Sequence, residues 1–182
     1  KRFEFPKIIQ SIGHKNTSVD YLCDNDKTLS LKTLKRDDGK ICPQVIGQAT
    51  LRKWDQYWNL DFKGELSRNH ERFEWIKQNI HYFLNEMLKY TYCCDYMILI
   101  SGCSKIPKLE YLKKIEPTYF VDQDIQYTRD MYEEKYNEKK QKYSEFSSTL
   151  KINNCSIGEL QFHKTSRNVV KFRFYRSFLI QL

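Results

Sequence analysis

Two short segments near the N-terminus carry side chains whose types and spacing suit the hydrolysis of a phosphodiester. Asp20 is followed, after nine intervening residues, by the run Ser30-Leu31-Lys32. A carboxylate and a backbone carbonyl can bind a hard divalent cation, which polarises a phosphate and acidifies a water molecule. A nearby lysine can orient that water or stabilise the charge that develops on the phosphate. The spacing therefore predicts a metal-dependent site in which Asp20 and a backbone carbonyl hold a cation beside Lys32.

The elements that must position these groups are two strands of a hairpin. Thr17–Leu22 and Thr28–Lys35 have strand-like patterns, and the turn-rich segment 23–27 joins them. Because side chains alternate along a strand, Ser30 and Lys32 share one face of the second strand, opposite a mainly apolar face. The hairpin would bring the carboxylate and the lysine to the same end of a small sheet.

The rest of the chain alternates between helical and strand patterns. Apolar residues at three- and four-residue spacing predict helices, and a continuous apolar run or strict alternation predicts strands. The order indicates an α/β (α+β) fold with a mixed central sheet flanked by helices and a C-terminal β-hairpin. We expect helices from Pro43 to about Leu60 and over Asn69–Tyr90 and Gln123–Ser144, and strands over Asp95–Ser101, Tyr119–Val121, Ser156–His163 and Val169–Arg176.

The charge distribution points to an anionic partner. The chain has 31 basic and 23 acidic residues, a net charge of +8 and an isoelectric point near 9.1. Residues 1–60 carry +4 and residues 151–182 carry +5, whereas residues 61–150 carry −1. A basic balance of this kind favours a polyanion or a membrane surface as partner. If both ends fold onto one face, that face is the anion-binding surface.

Several protein classes do not fit this sequence. An apolar fraction of 40% and an aromatic fraction of 15% allow a sizeable core, which excludes a disordered or fibrous chain. The longest apolar stretch, residues 96–100, is far too short to span a membrane, and no signal peptide, P-loop or GxSxG motif is present. The six cysteines form no CxxC pair, so we expect reduced, mostly buried thiols rather than a zinc site.

The arrangement of Asp20 and Lys32 resembles the PD-(D/E)xK nuclease superfamily. In that family an acidic residue begins one strand, the (D/E)-x-K motif lies on the next, a helix packs behind them and another strand completes the core. The resemblance places the first acid at Asp20 and the lysine at Lys32, and it assigns Leu31 to the position whose carbonyl binds metal. It implies Mg²⁺ as the cofactor.

Two positions depart from the family pattern. Val19 stands where proline is usual, and Ser30 occupies the position of the second acid. Some family branches move that acid, or a glutamine in its place, to the following helix. Gln44 and Gln48 would lie four residues apart on one face of the expected helix, so either is a candidate substitute. Other candidates are a glutamate from a segment preceding this chain, since Glu4 is the only acid before Asp20, and the turn residues Asp24 and Asp26, which more simply satisfy local amides.

Longer runs are similar to type II restriction endonucleases. These runs are Leu29–Thr33, Gly39–Thr50, Ile157–His163 and Val170–Phe174. The resemblance implies one endonuclease domain over residues 1–182 that cuts double-stranded DNA at a short sequence. It also implies a homodimer, because such sites are two-fold symmetric, and a cytoplasmic protein of a bacterium or archaeon.

The C-terminal hairpin fits a role in reading DNA. Glutamine and arginine side chains match the hydrogen-bonding edges of adenine and guanine, and a two-stranded ribbon fits the major groove. His14 and Lys15, just before Asp20, are candidate phosphate contacts. The candidate contacts in the hairpin are Gln161, His163, Arg167, Lys171 and Arg173.

Two other functions remain open from the sequence. One is a DNA repair or junction-resolving nuclease with the same core. The other is a non-catalytic nucleic-acid-binding protein in which Asp20 and Lys32 merely pair, with aromatic and basic residues stacking on single strands. The chain starts at Lys1 without a methionine, which leads us to expect a further N-terminal segment that could supply an acidic ligand.

Overall fold

A computed structural model of the chain describes residues 6–13, 19–34, 38–102, 108–112, 114–116, 118–134, 136–138, 142–143, 145–163 and 168–182. The candidate residues His14, Lys15 and Arg167 lie outside these ranges, as does Glu4. The elements in chain order are β1 (Ile8–Ser11), β2 (Tyr21–Cys23), β3 (Thr28–Leu34), β4 (Lys40–Ile41), β5 (Gln48–Thr50), α1 (Leu51–Tyr57), α2 (Asn69–Gln78), α3 (Ile80–Thr91), β6 (Tyr96–Ser101), β7 (Lys108–Leu112), β8 (Gln126–Tyr127), β9 (Tyr136–Asn137), β10 (Lys142–Tyr143), β11 (Phe146–Ile152), β12 (Cys155–His163), β13 (Val169–Tyr175) and α4 (Arg176–Leu179).

The first of the two main sheets has five strands in the order β1-β2-β3-β6-β7. β2 and β3 form the expected antiparallel hairpin, with Tyr21 opposite Leu29. β6 lies parallel to β3, with Lys32 opposite Leu99, and β7 lies antiparallel to β6. The sheet is therefore mixed, as the apolar run of β6 after a long helical segment predicted.

The second sheet has the order β4-β13-β12-β11-β8, and β5 also pairs with β13. All of its strand pairs among the described residues are antiparallel. The expected C-terminal hairpin is present as β12 and β13, with Glu159 opposite Arg173. It is the centre of a larger sheet rather than an isolated ribbon, because β11, β4 and β5 extend it on both sides.

Both sheets contribute to one hydrophobic core. Alternation puts Phe172 on the buried face of β13, where it lies 5.3 Å from Phe83 of α3 between ring centroids. Met97 and Leu99 of β6 belong to the same buried cluster. Arg176 of α4 also links the two sheets, since its Nε donates to Glu110 Oε2 of β7 at 2.6 Å. The mixed α+β class predicted from the sequence is confirmed at this level.

The expected helix over residues 43–60 is wrong in its first half. Residues 44–47 form a turn, β5 follows, and α1 begins only at Leu51, where the Thr50 side chain accepts a hydrogen bond from the Lys53 amide. A Cβ at Gly47 would lie 2.2 Å from the Pro43 carbonyl oxygen, so this close approach requires glycine. Val45 at the turn has φ +61°, a left-handed conformation that a helix does not contain.

The expected helix over residues 69–90 is two helices that meet at Asn79. The Asn79 side-chain amide donates to the Trp75 carbonyl at 2.8 Å, and so does its backbone N–H at 3.0 Å. Asparagine can satisfy helix carbonyls in this way and so end a helix. The apolar stripe continues across the break, which is why the sequence pattern did not reveal it.

Two further predictions are wrong. Residues 119–121 form a turn rather than a strand, although Phe120 is fully buried. The described part of residues 123–144 contains short strands and turns instead of a helix. Tyr132 of that segment packs against Phe146 at 4.9 Å between ring centroids, so burial of aromatic side chains against the second sheet outweighs the helical preference of the charged residues.

No helix in the described ranges is long and apolar enough to cross a membrane. The cysteines within these ranges are free thiols, of which Cys23 and Cys94 are buried, whereas Cys155 is exposed. The expectation of mostly buried thiols therefore holds for only part of them.

Candidate active site

Asp20 is fixed by its backbone at the point where three strands of the first sheet meet. Its N–H donates to the Leu29 carbonyl at 3.0 Å, which continues the β2–β3 ladder. Its carbonyl accepts from the amides of Ile12 and Gly13, just beyond β1, at 2.9 and 3.0 Å. Bonds on both sides leave the backbone of Asp20 little freedom to move.

The Asp20 carboxylate is oriented by the residues at the (D/E)-x-K positions. Oδ2 accepts from the Ser30 hydroxyl at 2.9 Å and from the Leu31 N–H at 2.7 Å. Oδ1 lies on the side of Gly13, where a Cβ would come to 3.5 Å. Ser30 is completely buried. Ser30 therefore holds the first acid in place, which is a role that the sequence pattern did not indicate.

Lys32 shares the face of β3 that carries Ser30, as the alternation predicted. On the neighbouring strand the residues of that face, Met97 and Leu99, are buried, so the candidate site lies on the core-facing side of the sheet. Within the described ranges, no hydrogen bond or ion pair joins the side chain of Lys32 to another residue. Burial raises the pKa of the nearby Cys94 thiol to about 12, with the positive charge of Lys32 acting in the opposite direction.

The Leu31 carbonyl lies on the correct edge of β3 to serve as a ligand. In an extended strand the N–H and C=O of one residue point to the same side, and the Leu31 N–H points to Asp20. The last β2–β3 pair is Tyr21 with Leu29, so the Leu31 carbonyl lies beyond that ladder.

These donors fit Mg²⁺ in type but are few in number. Mg²⁺ prefers oxygen ligands and usually keeps several waters alongside one or two carboxylates and substrate phosphates. Asp20 Oδ1 and the Leu31 carbonyl are such oxygens. Within the described ranges, however, no group of three or more His, Cys, Asp or Glu residues could hold a metal ion.

Gln44 and Gln48 do not share a helical face. Gln48 is exposed on β5, opposite Lys171 of the second sheet. Gln44 is half-buried in the preceding turn, and its N–H donates to the Tyr90 carbonyl at 3.0 Å. The two residues therefore diverge: Gln44 lies against the end of α3, and Gln48 belongs to another surface.

That other surface is the exposed side of the second sheet, which we call the polar face. Strand register places Thr50 and Val169 on it, together with the following side chains: Lys40, Gln48, Ser147, Thr149, Glu159, Gln161, His163, Lys171, Arg173 and Tyr175. Four of the candidate DNA contacts, Gln161, His163, Lys171 and Arg173, are brought together here. The face combines the donors and acceptors that suit base edges with a net positive charge.

Sequence reasoning missed some members of the polar face. Lys40 lies on the two-residue strand β4, which is too short to leave a pattern. Ser147 and Thr149 lie on β11, where apolar Phe146, Leu150 and Ile152 have the spacing of a strand. This alternation predicts a strand and could have located Ser147 and Thr149 on its polar side.

A cavity of about 620 Å³ opens between the end of α3 and the start of β6. Its walls include Thr28, Tyr90, Tyr92 and Cys94 together with the lysines Lys89 and Lys114. At its edge Asp95 accepts from the amide and the hydroxyl of Thr28, both at 2.9 Å. The cavity adjoins the strand of the candidate site at the end away from Lys32.

The chain is 34% identical over 157 residues to the type II restriction enzyme CviAII of Paramecium bursaria Chlorella virus 1. The aligned region covers 86% of this chain and 41% of the viral enzyme, so the chain spans about two fifths of the length of that relative. No family model matches the sequence. The similarity to this enzyme agrees with the resemblance to type II restriction endonucleases read from the sequence.

Proposed function

We propose that this chain carries the catalytic centre of a type II restriction endonuclease of the PD-(D/E)xK type. The substrate would be double-stranded DNA containing a short specific sequence, and the cofactor would be Mg²⁺. The observation that carries the proposal is the cluster on one face of the β2–β3 hairpin. There the Asp20 carboxylate is fixed by Ser30 and the Leu31 N–H, and Lys32 has no described ion-pair partner.

Each residue of the cluster has a distinct part in this mechanism. Asp20 Oδ1 and the Leu31 carbonyl would hold the ion, and Mg²⁺ supplies polarisation of the phosphate and acidification of a water when bound. Ser30 acts by fixing the Asp20 carboxylate. The ammonium of Lys32 donates to the attacking water or to the phosphate oxygen on which negative charge develops.

Gln44 is our candidate for completing the site. Its N–H bond to the Tyr90 carbonyl places it at the end of α3. Four residues after Tyr90 the chain reaches Cys94, and the positive charge of Lys32 acts to lower the pKa of the Cys94 thiol. Gln48 is not part of this path, and we assign it instead to the polar face.

The polar face would contact DNA through Gln161, His163, Lys171 and Arg173. His14, Lys15 and Arg167, for which the structure gives no position, remain proposed contacts from the sequence. We also propose a homodimer, because a two-fold symmetric site is matched by a two-fold symmetric protein.

The test is digestion of plasmid DNA by the purified full-length protein with Mg²⁺, with EDTA as the control. Discrete fragments that disappear in EDTA support the proposal, and mapping their ends gives the sequence that is cut. A smear indicates a non-specific nuclease, and cleavage confined to a four-way junction substrate indicates a junction-resolving enzyme. Intact DNA that is nevertheless bound indicates a non-catalytic binding protein. The last three results each contradict the proposal.

A further inference from the structure

Glu159 places a carboxylate on the polar face among the cations Lys40, Lys171 and Arg173. It lies in the middle of β12, directly opposite Arg173. On a surface that approaches DNA, a carboxylate repels phosphates, so its presence needs a physical reason. The bonds around Glu159 supply one.

The Glu159 carboxylate connects side chains from three other strands. Oε2 accepts from Lys40 Nζ of β4 at 2.9 Å and from Arg173 Nη2 of β13 at 2.6 Å. Oε1 accepts from the Ser147 hydroxyl of β11 at 3.3 Å. The side chain is only 12% exposed, whereas those of Lys40 and Arg173 are each 25% exposed. Glu159 therefore lies beneath the two cations and fixes their positions.

The network continues from Arg173 across the face. Arg173 Nη2 also donates to Gln161 Oε1 at 3.2 Å, and that oxygen lies 3.2 Å from His163 Nε2. The other ring nitrogen of His163, Nδ1, lies 2.9 Å from Glu145 Oε1. Three of the proposed DNA contacts are thus held in one chain of polar bonds that begins at Glu159.

Arg173 is held by Glu159, but not all of its N–H groups have hydrogen-bond partners among the described residues. Its Nε is buried and has no hydrogen-bond partner among the described residues. Burial raises the pKa of the Cys42 thiol, and the positive charges of Lys171 and Arg173 oppose that rise. Both cations therefore lie near Cys42. The buried Nε does not face a ligand, but Nη1 makes no hydrogen bond to another described residue, whereas Nη2 is fixed by Glu159 and Gln161. A guanidinium held at one nitrogen in this way is suited to a ligand that presents acceptors in a plane.

We propose that Glu159 is a positioning residue for specificity, which holds Arg173 in the orientation that reads the acceptor edge of a base. This rests on the proposed function, because it assumes that the polar face contacts DNA. The bidentate pairing of arginine with guanine is worth about 1–3 kcal/mol of discrimination against another base. That corresponds to roughly 5- to 150-fold. Pre-ordering the arginine spares the DNA complex the loss of side-chain freedom.

The double-mutant cycle of Glu159→Ala and Arg173→Ala tests this. The full-length protein is titrated with labelled duplexes that carry either the mapped site or single base-pair changes, in Ca²⁺ so that cleavage does not interfere. We expect Glu159→Ala to lower the discrimination at one base pair by at least about fivefold. Its non-specific binding should be unchanged or tighter, because a negative charge has been removed. With Arg173 already replaced by alanine, Glu159→Ala should change discrimination no further.

Matched controls separate this role from general damage. Glu71→Ala removes a carboxylate of α2 that pairs with Arg68, the residue just before the helix. This substitution should leave discrimination unchanged. Glu159→Gln keeps an acceptor for Arg173 and should restore part of the discrimination, which also guards against a Glu159→Ala protein that fails to fold.

The outcomes distinguish the two levels of the proposal. If the wild-type protein shows no preference for any sequence, the proposed function fails. If the wild type discriminates and Glu159→Ala discriminates equally well, the positioning role is overturned. Additive effects of the two substitutions would also overturn it, since Glu159 would then act independently of Arg173.

Discussion

On the five-stranded sheet, Lys32 has no hydrogen-bond or ion-pair partner among the described residues, whereas on the six-stranded sheet Lys40 and Arg173 are both paired with Glu159. In the first region the described contacts leave the ammonium group of Lys32 unpaired, while the Asp20 carboxylate is held by Ser30 and the Leu31 N–H. In the second region the charged groups hold one another in fixed positions. The first arrangement suits bond cleavage, and the second suits the reading of a surface. Substitutions in the two regions should therefore change different measured quantities.

A third charged cluster shows what a purely structural pair looks like in this molecule. Arg72 of α2 and Asp55 of α1 are almost completely buried and joined by two hydrogen bonds, at 2.6 and 2.7 Å. Arg72 also donates to Asn69 and to the Glu65 carbonyl. The pair has no side open to a ligand, unlike Lys32 or the polar face.

The largest effect is expected from breaking that closed pair. Arg72→Ala leaves Asp55 buried without its counter-charge, which costs about 3–5 kcal/mol. Urea denaturation followed by circular dichroism measures the free energy of unfolding. Arg68→Ala is the control, because Arg68 is about half-exposed and pairs only with Glu71 in the described contacts; it should cost about 1 kcal/mol or less. Equal effects of the two substitutions would remove the distinction between closed and open clusters.

Loss of Lys32 should act on the rate of cleavage. Lys32→Ala removes a donor to charge that develops during the reaction, and loss of one such donor typically lowers the rate about 10²- to 10³-fold. Single-turnover cleavage of the mapped site measures the rate, and titration in Ca²⁺ measures binding, which we expect to be largely retained. Lys77→Ala, on α2, makes the same change away from β3 and should cleave normally. A slow Lys77 variant or an active Lys32 variant would contradict the assignment.

Ser30 should show a smaller effect on the same step. Ser30→Ala frees Asp20 Oδ2 from one of its two donors, and loss of such a supporting contact lowers metal affinity or activity about 10- to 100-fold. We expect a higher Mg²⁺ concentration for half-maximal cleavage. Ser148→Ala is a matched control, because Ser148 is also buried. Among the described contacts, its hydroxyl bonds only to the backbone N–H and carbonyl of Arg129. If both variants respond to Mg²⁺ in the same way, Ser30 has no special role.

The smallest effect concerns acid stability of the polar face. Burial alone would raise the pKa of Glu159, but the hydrogen bonds and charges of Lys40 and Arg173 outweigh it, so the pKa lies below the ordinary value of 4.5. A lowered pKa means that the stabilisation is fully present above pH 4.5 and is lost as the pH falls through the folded-state pKa. Thermal melting of wild type and Glu159→Gln between pH 3 and 6 should therefore show the two curves converging at low pH. A constant difference would show that ionisation of Glu159 does not stabilise the fold.

The sequence was most informative where a segment's structure depends on its own alternation. The β2–β3 hairpin, β6 and the pair β12–β13 all have side-chain patterns that match their faces, so Asp20, Ser30 and Lys32 could be placed together in advance. The hydrogen bonds from Ser30 and the Leu31 N–H to the Asp20 carboxylate could not be predicted, because they depend on where the pairing of β2 with β3 ends.

The failures came from contacts between distant segments. Residues 43–50 have helical spacing, but Gly47 packs on Pro43 and β5 pairs with β13, so the turn prevails. Lys40 and Ser147 both donate hydrogen bonds to Glu159. Lys40 lies 119 residues before Glu159 in the sequence. A pattern within one segment does not contain such partners, which is why the polar face was only half predicted.

The most direct test of the central claim is the response of Asp20→Ala to Mg²⁺. Single-turnover cleavage of the mapped duplex is measured over a range of Mg²⁺ concentrations, and specific binding is measured in parallel in Ca²⁺. We expect the wild type to cleave with saturating dependence on Mg²⁺, and Asp20→Ala to show no cleavage at any concentration while still preferring the mapped sequence. Full cleavage by Asp20→Ala would contradict the assignment of the catalytic centre to this hairpin.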